Sequence, residues 1–152
     1  RRSVIAAVVA LIVTDSLPSF ASTTPTANLE CLKDLPPLAK DKVRLFLSRH
    51  GETENNRLGL VQGSRIDAEL NPIGELQAAR LGQAMALSNE HPPFFFHSPL
   101  KRAKQTALIG AAQYHFVADY YDYKTKKGTI QLLSDMKEID FGTSVDGKSV
   151  KS

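Results

Sequence analysis

Leu45-Phe46-Leu47-Ser48-Arg49-His50-Gly51-Glu52-Thr53 decides how the rest of the chain is read. An apolar run stops at an arginine, a histidine and a glycine, and a carboxylate and a hydroxyl follow. A buried strand whose carboxyl end opens into a loop has this pattern, and open α/β sheets place their ligand sites at such ends. An imidazole there can be a nucleophile, with a permanently charged guanidinium beside it for an oxyanion. Gly51 is expected to let the backbone turn away and leave room for a substrate. Taken alone, a surface arginine beside a strand-end His-Gly turn accounts for the same three residues equally well.

Outward from this stretch, residues 57–70 read as a loop. A helix follows, with Asn71 as its cap, Pro72 in its first turn and an end near Ser88. Gly74, Ala78, Leu81 and Met85 share one face of it, small enough to lie close against a sheet. Phe94-Phe95-Phe96 reads as a second buried strand between Pro92-Pro93 and Ser98-Pro99. Ser98 is expected to cap a second helix running to about Gln113. Residues 113–128 are polar and carry Lys124, Lys126 and Lys127, as an exposed connection would. A third strand is expected over 129–133, feeding a loop that holds Glu138. Strands alternating with helices imply an α/β fold with a largely parallel sheet.

The amino-terminal part differs in kind. Arg1-Arg2, an apolar run over 4–13 and Ser19-Phe20-Ala21 compose a leader over 1–21, too short to span a bilayer. The arginine pair resembles a twin-arginine export signal. A translocated compartment is therefore expected, the plastid or thylakoid lumen or the exterior, with the cytoplasm as the alternative. No stable membrane span is expected in the mature protein. An ordinary buried helix or strand is the competing reading of the apolar run. Residues 22–41, rich in Ser, Thr and Pro, read as a flexible linker with at most a helical turn near 29–33. The functional domain is expected over 42–152. A formal charge of +3 gives no argument for a nucleic-acid partner, and none is expected. Cys31, a single cysteine, cannot form an internal disulfide, and no zinc-type spacing is present.

Beyond the opening stretch come Asn56, Gln62-Gly63, Asp67 and Leu70, then Gly74 and Gln77-Ala78. Ser98-Pro99-Leu100-Lys101-Arg102-Ala103-Lys104-Gln105-Thr106-Ala107 and Glu138-Ile139-Asp140-Phe141-Gly142 complete the series. In this order and spacing the set resembles the histidine phosphatase superfamily, the phosphoglycerate-mutase-like proteins, over about 43–148. The resemblance implies a three-layer α/β/α fold. It implies that His50 attacks phosphorus and becomes a phosphohistidine, that Arg49 and Arg102 clamp the phosphoryl group, and that Glu138 protonates the leaving oxygen. Asn56 and Gln62 match polar positions lining the pocket. No metal or organic cofactor is implied, and the partner is a small phosphorylated substrate.

The chain also departs from that family. Asn55 stands where many members have a tryptophan, and Asp146-Gly147 replaces a Glu-Gly pair. The family's second histidine, on a later strand, has no counterpart among His91, His97 and His115. Since the chain starts with Arg and stops at Ser152, it is expected to be an amino-terminal piece of a phosphatase, its domain truncated at the carboxyl end. A shortened, non-catalytic member that binds phosphorylated ligands or a protein is the alternative. Gln62-Gly63 and the Glu138 loop look more like the phosphatase branch than the glycolytic mutases, whose phosphoryl transfer is the other alternative. Sugar or sugar-acid phosphates are the expected substrates.

Overall fold

The computed structural model describes residues 3–8, 32–88, 92, 94–118 and 129–149. Four strands, β1 (Ser3–Val8), β2 (Val43–Ser48), β3 (Phe94–His97) and β4 (Thr129–Leu132), form one sheet in the order β2-β1-β3-β4. Every neighbouring pair is parallel, so all four carboxyl ends lie at one edge. Parallel neighbours need long crossovers. Helix α2 (Pro72–Ala86) lies between β2 and β3, and α3 (Lys101–Ala118) between β3 and β4. A single turn, α1 (Glu54–Arg57), follows the His50 loop within the stretch after β2.

β1 lies where the sequence reading expects a leader. Ser3–Val8 falls within the expected leader, yet here it pairs with Val43–Ser48 on one side and Phe94–His97 on the other. The ordinary-strand reading of the apolar run describes it. The physical reason is shared composition: a short Val/Ile/Ala run suits a signal core and a fully buried parallel strand alike. The remainder of the expected leader, Cys31 and the Lys124, Lys126 and Lys127 group lie outside the described residues. Of the expected linker, Leu32 packs against the core instead of lying free.

Met85, Phe95, Ala111 and Tyr114 form the core, with Phe46, Leu81 and Ile130 packed on it. This joins the two long helices to one face of the sheet. On the other face Val43, Leu45 and Leu47 are each more than half exposed. Among the described residues the sheet therefore carries one helical layer, not two. Helix α3 outruns its expected end near Gln113. Its next residue, Tyr114, has no exposed surface and sets its ring 5.4 Å from that of Phe95, so core packing carries the helix through a polar stretch.

The face of α2 that carries Leu81 and Met85 packs on the sheet as expected, and its glycines also bring it against the His50 loop and α3. A Cβ on Gly74 would meet the Glu52 carbonyl oxygen at 2.1 Å, and one on Gly51 would meet the Gly74 oxygen at 2.3 Å. Two main chains touch there, and the start of α2 is thereby seated against the His50 loop. Nearer its end, α2 meets α3: a Cβ on Gly82 would lie 2.1 Å from the Gly110 oxygen.

Candidate active site

The loop after β2 is held from both helices. The Gly51 N–H donates to Thr106 Oγ1 (2.9 Å), and the Glu52 N–H to Gln77 Oε1 (2.8 Å). The Asn71 N–H donates to the Glu52 carbonyl (2.9 Å), while Asn71 Oδ1 caps α2 by accepting from the Gly74 N–H (2.8 Å). Helix α2 thus begins as expected, and its cap also touches the loop. Gly51 is required for its contact with Gly74 more than for turning the chain, which corrects the expected role.

His50 is buried, and its Nδ1 lies 2.7 Å from the Gly51 carbonyl oxygen. A carbonyl only accepts, so the proton sits on Nδ1 and Nε2 carries the free lone pair. Burial pushes the imidazole down from 6.5 to about 4. The charges of Arg102 and Arg49 act in the same direction, and the Gly51 bond opposes them. At neutral pH the ring is uncharged beside two cations. Arg49 and His50 border a cavity of about 150 Å³ that Ser48, Gln77, Ala78, Leu81 and Thr106 also line.

Arg102 does not line that cavity and is wholly buried. Its Nη1 donates to the Ile66 carbonyl (2.6 Å), and its Nη2 to the Gly63 carbonyl (3.2 Å) and to Glu138 Oε2. Its Nε has no partner among the described residues. Glu138 is buried in a loop whose neighbours Lys137, Ile139 and Asp140 are exposed. Main-chain bonds bring it there: Ser64 N–H to the Ile139 carbonyl (3.1 Å), and Val61 N–H to the Lys148 carbonyl (2.9 Å). Asp146 Oδ1 accepts from the Gly63 N–H (3.0 Å), and Arg65 pairs with Asp140 at 2.6 Å. Two loops distant in sequence are thus closed around one guanidinium.

Asn56 and Gln62 meet Thr53. The side chain of Asn56 and that of Thr53 cap each other's backbone N–H across α1. Thr53 Oγ1 lies 2.7 Å from Gln62 Oε1, and Gln62 Nε2 is buried without a partner among the described residues. The structure thus brings together His50 and Arg49 at the cavity, Arg102 and Glu138 as an ion pair, and Asn56 and Gln62 around Thr53. Sequence reasoning assigned no role to Thr106, Gln77, Gln105 or Asp67. Gln105 Oε1 accepts from the Leu70 N–H (2.8 Å), and Asp67 Oδ1 accepts from the Lys101 N–H (2.6 Å) at the start of α3. Their signal was a polar side chain in or before a helix packed on loops. Among the described residues no three His, Cys, Asp or Glu side chains gather as metal ligands would.

The described residues thus compose an α/β protein with a parallel sheet and an uncharged histidine just beyond a strand end, near two arginines. The model of the histidine phosphatase superfamily (branch 1) matches residues 45–151, and the chain belongs to that family. It is 40% identical over 67 residues to a broad-specificity phosphatase of Saccharomyces cerevisiae, covering 44% of this chain and 29% of that protein. With a metal-independent phosphoserine phosphatase of Arabidopsis thaliana the identity is 42% over 65 residues, 43% of this chain and 26% of the other. The matches thus span between a quarter and a third of the length of these curated relatives. Among solved structures, a phosphoserine phosphatase from Entamoeba histolytica in complex with phosphoserine is 33% identical, with a TM-score of 0.47 over 67% of this chain and 42% of its own. A mycobacterial hydrolase, 22% identical, superposes with a TM-score of 0.52 over 67% of this chain and 41% of its own, a likeness of fold. The fold is α/β and phosphoglycerate-mutase-like, as the motifs imply.

Proposed function

We propose that the protein hydrolyses small phosphomonoesters, sugar or sugar-acid phosphates, through a phosphohistidine at His50. The observation that carries the reading is the pinned tautomer: Nδ1–H is bound to the Gly51 carbonyl, and Nε2 is free beside two guanidinium charges. In the proposed reaction the Nε2 lone pair forms the N–P bond as the P–O bond to the alcohol breaks. Glu138, protonated at the start, supplies its proton to the leaving oxygen; water then attacks phosphorus and gives a proton back to Glu138 as the N–P bond breaks, so that phosphate leaves and both the imidazole and Glu138 are restored. Glu138 is engaged by Arg102 in this structure. Arg102 must therefore exchange Glu138 for the phosphoryl oxygens, which a bidentate guanidinium binds well. Arg49 meets the phosphoryl group from the cavity side, and Asn56 and Gln62 contribute polar contacts near Thr53.

Relatives named for phosphoserine and for fructose-2,6-bisphosphate support small phosphorylated metabolites as the substrate class. For 1–21 the proposal is a translocation signal cut near Ser22, and N-terminal sequencing of native material tests it. A mature chain that keeps Ser3–Val8 would show that these residues serve as strand β1 instead. The central test is rapid-quench labelling with a ³²P-phosphomonoester followed by peptide mapping. Acid-labile label on the peptide containing His50 is expected; label elsewhere overturns the reading.

A further inference from the structure

Thr106 lies one turn after Arg102 on α3 and is almost wholly buried. Its hydroxyl donates to the Arg102 carbonyl (2.7 Å) and accepts from the Gly51 N–H (2.9 Å). A threonine that bonds back to the carbonyl four residues earlier commits its proton to its own helix. Its lone pair is then left for one outside donor, and here that donor is the peptide joining His50 to Gly51. One oxygen atom therefore ties the main chain of the nucleophile loop to that of Arg102.

We infer that Thr106 is a positioning residue for His50: its hydroxyl holds the His50–Gly51 peptide while Gln77 holds the next one, Gly51–Glu52, so that Gly51 is fixed from both sides, its carbonyl stays on Nδ1 and Nε2 faces the reaction. The inference rests on the reading of His50 as the nucleophile and deepens it. Without the hydroxyl, a buried N–H at Gly51 has no acceptor, and an unsatisfied buried donor drives local rearrangement. The peptide then rotates to find a partner. Gly51 is shared with the next peptide, so its carbonyl shifts as well, and the proton is no longer confined to Nδ1. The van der Waals contact of the Thr106 methyl group has no part in this, so hydroxyl and methyl can be separated by substitution.

Thr106→Ser and Thr106→Ala both lose the methyl group and differ only in the hydroxyl. The readout is the ¹⁵N imidazole spectrum of the 152-residue chain near neutral pH, with the His50 signals assigned by their loss in His50→Ala. The wild type and Thr106→Ser should show the Nδ1–H tautomer at His50, while Thr106→Ala should show a mixture of both. In turnover of an aryl phosphate, Thr106→Ala should lower kcat by about 10–100-fold at nearly constant KM, and Thr106→Ser should restore most of it. A single Nδ1–H tautomer in Thr106→Ala, or equal disturbance by Ser and Ala, overturns the inference and leaves Thr106 a packing residue. The spectrum does not depend on catalysis. Absence of phosphoryl label on His50 with a hydroxyl-dependent tautomer would therefore sink the proposed reaction and leave the positioning intact.

Discussion

His50 and His97 stand in similar surroundings and differ in what the fold builds around them. Both lie at the carboxyl edge of the sheet, His97 as the last residue of β3 and His50 two residues beyond β2. Both are buried, and each holds its Nδ1 2.7 Å from the carbonyl of the residue that follows. The local hydrogen bond therefore selects a tautomer in both places and cannot by itself make a nucleophile. Around His50 there are the charges of Arg49 and Arg102, a cavity and a loop seated on α2. His97 is followed by Ser98, whose hydroxyl accepts from the Leu100 N–H (3.3 Å), and it does not border that cavity. Reactivity at these strand ends comes from the surroundings that second and third elements supply.

The sharpest way to break this contrast is to delete each ring in turn. His50→Ala should abolish phosphoryl labelling and lower turnover by at least about 10⁴-fold, since no neighbouring charge replaces a covalent nucleophile. His97→Ala should stay within about tenfold of the wild type, because transition-state contacts are untouched. Label that disappears with His97 instead would reverse the comparison.

Glu138→Gln tests the partner of Arg102, which His97 lacks. Turnover should fall by roughly 10²–10⁴ for esters with poor leaving groups, and much less for an activated aryl phosphate that needs little protonation. Equal losses on both substrates would mean that Glu138 serves only to hold Arg102.

The burial of His50 should also be visible in stability. Its pKa lies below the ordinary value in the folded chain, at about 4 against 6.5. Above the higher value neither state holds the proton, and His50 has no effect. As the pH falls through this window the unfolded chain gains a proton that the folded chain refuses, so stability drops, by on the order of 3 kcal/mol in all. Chemical denaturation at several pH values should show a shallower decline in His50→Gln over the same range. An unchanged slope would mean that the folded ring takes up its proton as readily as the unfolded one.

The seat of the His50 loop gives the smallest effect. Gly74→Ala places a Cβ 2.1 Å from the Glu52 oxygen and should destabilise the fold by about 1–3 kcal/mol while slowing label uptake at His50. Gly110→Ala, whose nearest neighbour would lie at 3.4 Å, should instead be neutral or stabilising by about 0.5–1 kcal/mol, as alanine usually is inside a helix. Thermal melts of the two variants check the pair, and a silent Gly74→Ala would refute the close contact.

Much of this was legible before any coordinates. Asn71-Pro72 announces the start of α2, the aromatic triplet announces β3, and the alternation of strands and helices announces a parallel sheet, because each is a local signal. The charged residues around His50 were legible through their order along the chain. What stayed hidden depends on distance in sequence. Nothing near Thr106 says that its hydroxyl meets Gly51, 55 residues earlier. Nothing near Glu138 says that its loop closes on residues 61–64. The extension of α3 through Tyr114 was concealed by polar neighbours, since a ring buried against Phe95 outweighs local composition. For β1 the sequence left two readings open, because a signal core and a buried strand draw on the same residues.

The contact between Gly51 and Gly74 has a consequence for how His50 is kept in place. It is made by two main chains, so it contains no rotatable side chain and stores no rotamer entropy. An alignment held by long side chains must be frozen each time a substrate arrives, at a free-energy cost of order 0.5–1.5 kcal/mol for each chain immobilised. Here that ordering is completed when the chain folds. The loop that carries His50 thus meets each substrate with its alignment against α2 already set, and binding energy remains available for the reacting group.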